Sequence, residues 1–190
     1  MAARALYEES LAIRRESGDR WSIANSLNNL GLVLRDQGDV TGARTFLEES
    51  LTINRELGDR WSIANSLSSL GDVTLSQKDY DAALAFLEES LSINQELSDR
   101  RAMAFLFEFF AELAAAKNQP RRALRLAGVA SALRDAIGAP LSPAEQLRLN
   151  QTLNSACAML ADTEKSASLN EGNCMVLEQA VDYALKAASE

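Results

Sequence analysis

The sequence predicts an all-α protein, a right-handed α-solenoid of helix-turn-helix repeats. Three observations carry that expectation: a block of 40 residues recurs along the chain, apolar residues recur within it at helical spacing, and glycine and aspartate punctuate it.

The repeat comes first. FLEESLTINRELGDRWSIANSLSSLG at 46–71 restates LYEESLAIRRESGDRWSIANSLNNLG at 6–31, with 19 of 26 positions identical. A third copy, FLEESLSINQELSDR, begins at Phe86 and then diverges. The stretch RRALRLAGVASALRDAIGAP from Arg121 keeps only the size pattern of that helix.

Each unit reads as two helices. Ala24, Leu27, Leu30 and Leu34 line one face of the first, and Ala43, Leu47 and Leu51, with Phe46, Ile53 and Leu57, line the second. Gly18 and Gly58 stand where a helix ends in a left-handed residue, and Asp19, Asp59 and Asp99 follow as N-caps that accept free backbone N–H groups. Gly38-Asp39 and Lys78-Asp79 separate first from second helices, and Pro120 takes an opening position where its missing N–H is not needed.

Gly31 and Gly71 fall inside first helices, where glycine costs about 0.5–1 kcal/mol relative to alanine. Close approach to Ala43 and Ala83 on the second helices is the expected compensation, and Ala111 and Ala123 repeat the small-small pairing. A single hairpin leaves its apolar stripe open, so neighbouring hairpins must stack. The helix from about residue 4 to 17 is a second helix without its first, which leaves Leu6, Leu11 and Ile13 half covered. The repeats are expected over 1–140, and C-terminal capping helices, in 142–160 and 177–188, over 141–190.

Composition excludes several function classes. Hydrophobic residues make up 47% of the 190, ample for a core, and no apolar run approaches the roughly 18 residues of a membrane helix. The start MAARALYEES lacks a signal-peptide h-region, so a cytoplasmic protein is expected, with no membrane partner. Lys and Arg total 19 against 27 Asp and Glu, a net charge of −8, and the basic residues are scattered, which speaks against direct nucleic-acid contact. Cys157 and Cys174 lack zinc-site spacing and the chain has no histidine, so neither metal nor cofactor is expected and both cysteines read as reduced core residues.

The carboxylate pairs Glu8-Glu9, Glu48-Glu49 and Glu88-Glu89 point about 100° apart on a helix, which suits a solvated face and not a glycosidase pair. Ser10, Ser50 and Ser90 have no histidine base and read as small packing residues. With no phosphate-cradling glycine motif either, the chain is not expected to be an enzyme.

These residues resemble a tetratricopeptide array in its long, 40-residue variant, with its W-x2-L-G-x2-Y…A-x3-F frame. Leu27, Leu30, Gly31, Leu34, Ala43 and Leu47 match in one unit, and Leu67, Leu70, Gly71, Thr74, Ala83 and Leu87 in the next. The stretch from AALAFLEES to APLSPAEQ, followed by EGNCMVLEQAVDYAL, is similar to the C-terminal arms of multi-domain bacterial regulators that join a signalling ATPase to such an array and often to a LuxR-like DNA-binding domain. That resemblance implies a non-enzymatic sensor or protein-interaction arm of a transcriptional regulator; a free-standing adaptor is the alternative. Lys165 and Leu169 replace the aromatic residues usual in that family and Val176 a Ser or Thr cap, so looser or shifted packing is expected over the last thirty residues.

In a tetratricopeptide array first helices line the inner face, which implies a protein- or peptide-binding groove formed by Asn25, Asn28, Arg35, Asn65, Ser68, Asp72, Phe105, Glu108 and Glu112. Asparagine both donates and accepts and so suits peptide backbone, while Asp72, Glu108 and Glu112 favour a basic segment. Trp21 and Trp61, each preceded by an arginine, read first as inter-repeat packing with the arginine stacked on the ring and second as an interaction surface. The run Phe105 to Phe110 is apolar almost all round, so the C-terminal helices or a second chain must cover it. A homodimer through that helix or through the N-terminal orphan helix is the corresponding expectation.

Overall fold

A computed structural model describes residues 2–158 and 160–186, apart from the side chains of 2–5, 155 and 156. Residues 159, 187 and 188 of the expected capping helices lie outside the described residues. The described residues form ten α-helices and no strand: α1 (Ala2–Ser17), α2 (Arg20–Asp36), α3 (Val40–Leu57), α4 (Arg60–Ser76), α5 (Tyr80–Glu96), α6 (Arg100–Ala116), α7 (Pro120–Ile137), α8 (Pro143–Cys157), α9 (Asp162–Asn173) and α10 (Leu177–Lys186). The chain divides into two compact units, 1–93 and 94–190.

A left-handed residue recurs every 20 positions through both units: Gly18, Gly38, Gly58, Lys78, Ser98, Asn118 and Gly138, with φ between 55° and 82°. Each ends a helix, and an N-cap follows. Asp19, Asp39, Asp59 and Asp99 each accept the backbone N–H three residues on, as expected for three of them from sequence.

In the first unit Leu27, Leu30, Leu34, Leu47, Leu67 and Leu70 are completely or almost completely buried and form one core with Leu11 of α1. Gly31 does sit at a close approach, and its nearest neighbour is Leu47: a Cβ there would stand 2.7 Å from Leu47 Cγ and 3.2 Å from the Ala43 carbonyl. Leu87 stands in the same relation to Gly71.

A buried polar seam joins second helices to first. Ser50 donates to the Ala24 carbonyl at 2.8 Å, and Ser90 donates to that of Ala64 at 2.8 Å. The Asn54 amide donates to Ser66 Oγ at 3.1 Å and to the Ser62 carbonyl at 3.4 Å. The repeated serines are therefore stitches between helices, which accounts for a small hydroxyl at that register.

In the second unit Phe107 and Phe110 are buried, and α6 packs on both α7 and α8 of the same chain. Its aromatic run is thus covered by its own unit. The expectation of loose packing near the C-terminus is overturned at the α7–α9 crossing. There Gly128 meets the backbone at Leu169 and Gly172 meets that of Arg125, so closely that a Cβ on either would collide with a carbonyl. Two opposed glycines replace the large side chains that a looser crossing would carry. Arg122 holds α10 by donating to the carbonyls of Tyr183 (3.1 Å) and Ala184 (3.0 Å) with its guanidinium 5.0 Å from the Tyr183 ring centre. Cys157 is buried as expected, but Cys174 is exposed because it follows the last turn of α9.

Candidate functional site

The nine residues singled out on first helices fall into two groups, one in each unit. On α2 and α4, Asn25 and Asn65 occupy the same register; Asn25 is half-buried and Asn65 is exposed. Asn28 and Ser68 form the next such pair, half-buried at Ser68 and buried at Asn28. The Asn28 Oδ1 has no hydrogen-bond partner among the described residues. A buried, unbonded amide oxygen is a net cost to folding, so its presence beside an asparagine-bearing face is a candidate functional feature.

The charged members are engaged within the chain. Arg35 pairs with Asp72 of the next first helix and with its own neighbour Asp36, the latter at 2.8 Å. Asp72 is buried under that contact. In the second unit Glu108 is buried and takes both Nε and Nη2 of Arg134, the second at 3.0 Å. The same guanidinium lies 4.2 Å from the centre of the Phe105 ring, which it covers. Glu112 faces Arg148 of α8 at 3.5 Å. All three carboxylates thus sit against arginines of their own unit, a pairing that neighbouring positions in sequence do not reveal.

The carboxylate ridge on second helices is likewise tied laterally. Arg15 pairs with Glu49 and Arg55 with Glu89, each at 2.7 Å, so one repeat's arginine meets the next repeat's glutamate. These pairs are exposed and each adds roughly 0–1 kcal/mol. Trp21 and Trp61 are 54% and 56% exposed, more than inter-repeat packing implies. The Trp21 indole donates to the cap carboxylate of Asp59 at 3.2 Å while Arg20 turns away to Glu56. The aromatic edge beside the Asp59 cap is therefore open, and no sequence pattern signalled that the ring would be tethered through its N–H.

Among the described residues no group of three His, Cys, Asp or Glu side chains converges as a metal site, and no helix is long and apolar enough to cross a membrane. In α1, Leu11 is buried against the core while Leu6 and Ile13 are 66% and 61% exposed.

Left-handed turns, capped short helices and glycine-leucine contacts in register define a helical-hairpin repeat protein, whose ordinary work is to present a surface to other proteins. The tetratricopeptide repeat model matches at 1–56, 22–96 and 62–136, which covers most of the chain, and the chain belongs to that family. No curated protein shows significant similarity to it.

Proposed function

We propose that the chain is a non-enzymatic module that binds an extended peptide segment of a partner protein across the α2–α4 face of its first unit. The observation that carries this reading is the paired register of Asn25 and Asn65, accessible side-chain amides beside the buried, unbonded Asn28 Oδ1. Each of these amides can both donate to and accept from a peptide backbone. Ser68 and Arg35 flank them on the same two helices. Taken by itself, the second unit offers Phe105 and Glu112 as half-buried positions on α6, with Glu108 holding the Arg134 that covers Phe105.

The experiment selects binders from a displayed library of unstructured peptides and measures their affinity for the Asn25→Ala, Asn65→Ala double variant. Affinity should fall about tenfold or more with helicity unchanged; equal affinity removes the assignment.

The module serves best as the regulatory arm of a larger cytoplasmic bacterial signalling or transcriptional regulator. The long, 40-residue form of the repeat and the similarity of the stretch from AALAFLEES onward to such arms support this, and the net charge of −8 favours a protein over nucleic acid as direct partner. Left-handed turns every 20 positions agree with that repeat length. A free-standing adaptor is the alternative reading, and whether the coding frame continues into an ATPase or DNA-binding segment decides between them. Exposed Leu6 and Ile13 also favour a homodimer through α1, which Leu6→Glu with Ile13→Glu should dissociate in sedimentation measurements.

A further inference from the structure

The C-terminal unit holds a cavity of about 300 Å³ between α7 and α8 that the peptide-binding reading leaves unused. Its origin is steric. Gly128 draws the α9 backbone onto one stripe of α7, while on the neighbouring stripe Ala127 and Ala130 are too short to fill the space before Leu149 and Leu153 of α8. The floor is therefore apolar.

The mouth is polar and carries one net charge. Arg134 also lines the cavity, but Glu108 takes two of its nitrogens and the Ala139 carbonyl accepts from the third at 3.1 Å, so that pair is electrically neutral and each guanidinium nitrogen already has a partner. Asp135 and Ser131, one turn apart on α7, line the rim. Among the described residues neither the Asp135 carboxylate nor the Ser131 hydroxyl has a hydrogen-bond or ion-pair partner. Across from them Gln146 donates to Asn150 Oδ1 at 3.0 Å, which leaves the Gln146 carbonyl oxygen as a further acceptor. An uncompensated carboxylate with two neutral acceptors around an apolar well selects a ligand with several N–H donors, a positive charge and a compact hydrocarbon body.

We propose that this cavity binds a small organic amine whose apolar portion, about the size of a phenyl ring, enters between α7 and α8 while its ammonium group meets Asp135. Such a ligand bridges two helices of the C-terminal unit and so offers a small-molecule input separate from the asparagine face.

Titration calorimetry on the full chain with 2-phenylethylamine tests the proposal, with phenylacetate as a probe of like shape and opposite charge. The amine should bind saturably at one site and phenylacetate should not. Asp135→Asn should weaken the amine at least about fivefold without loss of helicity, since that side chain is exposed. Ala130→Leu should fill the well and abolish binding, and amide shifts in the unaltered chain should concentrate on α7 and α8. If Ala130→Leu unfolds the unit, Asp135→Asn and the shift pattern still decide. Absence of saturable heat at millimolar amine, equal binding of the two probes, unchanged affinity in Asp135→Asn, or shifts centred on α2 and α4 would each overturn it.

Discussion

Arg134 of α7 lies across Glu108 of α6 in a two-bond ion pair, with their side chains only 6% and 7% exposed and the Phe105 ring on the open side of the guanidinium. Two charges withdrawn from water hold one another, so removing either strands the other. Glu108→Ala should lower unfolding free energy by about 3–5 kcal/mol in urea titration. Replacing the pair together, Glu108→Leu with Arg134→Met, should recover most of that loss. If the single and double variants are equally unstable, the pair is not the source.

Gly31 is exchanged against two opposing effects. Alanine gains about 0.5–1 kcal/mol of helix propensity there, but its Cβ would press on Leu47 Cγ at 2.7 Å in a completely buried site. Overpacking of that kind costs about 1–3 kcal/mol, so Gly31→Ala should destabilise. Leu47→Ala, itself destabilising, should make the Gly31→Ala step neutral or favourable. Thermal unfolding of the four-variant cycle measures the coupling, and additivity within about 0.5 kcal/mol would refute the contact.

What could be read from the sequence follows the repeat. Copies in register locate Asp59, Gly31 and the buried leucines because a 40-residue offset turns one helix pair into a template for the next. Beyond Arg100 the second unit offered no such template, and the opposed glycines Gly128 and Gly172 meet only through the crossing of α7 and α9. The charged residues failed for the same reason. Asp72 and Glu108 look like free acids along the chain because Arg35 and Arg134 are brought to them by stacking of helices that no local spacing encodes. The tryptophans erred in the other direction, because burial of an aromatic at a helix start depends on what the adjacent hairpin leaves uncovered.

The left-handed positions separate glycine from its substitutes. Lys78 and Ser98 hold φ of 62° and 55°, where Gly18, Gly38, Gly58 and Gly138 stand at the corresponding turns. A side chain in that region carries a steric penalty of roughly 1 kcal/mol, partly offset by the greater freedom glycine gives the unfolded chain. Lys78→Gly and Ser98→Gly should therefore each stabilise by up to about 1 kcal/mol in denaturant unfolding. Destabilisation by either would mean its side chain makes a contact that outweighs the backbone.

Acid should weaken the Asp59 cap. Hydrogen bonds from the Ser62 side chain and backbone, with the Trp21 indole, hold the Asp59 carboxyl below its usual range even though partial burial opposes this. A carboxylate whose folded pKa is depressed contributes stability above its unfolded value, about 3.9, and loses it as pH falls through the lower folded value. Unfolding midpoints should accordingly drop below about pH 4, and Asp59→Ala should remove its share of that dependence. At neutral pH the same variant should cost about 0.5–2 kcal/mol, and Asp59→Asn, which keeps the acceptor, should cost less.

Asn28 sets folding against binding. Its Oδ1 is buried without a partner, and the next repeat has Ser68 at the same register. Leucine has the shape of asparagine without the polar atoms, so Asn28→Leu removes an uncompensated desolvation of about 1–3 kcal/mol and should raise the melting temperature. If this face is where a peptide lies, the gain should come with weaker binding of any peptide whose affinity depends on Asn25 and Asn65. A residue kept at a cost to folding is explained by the partner it serves, and a variant both more stable and undiminished in binding would leave Asn28 without that explanation.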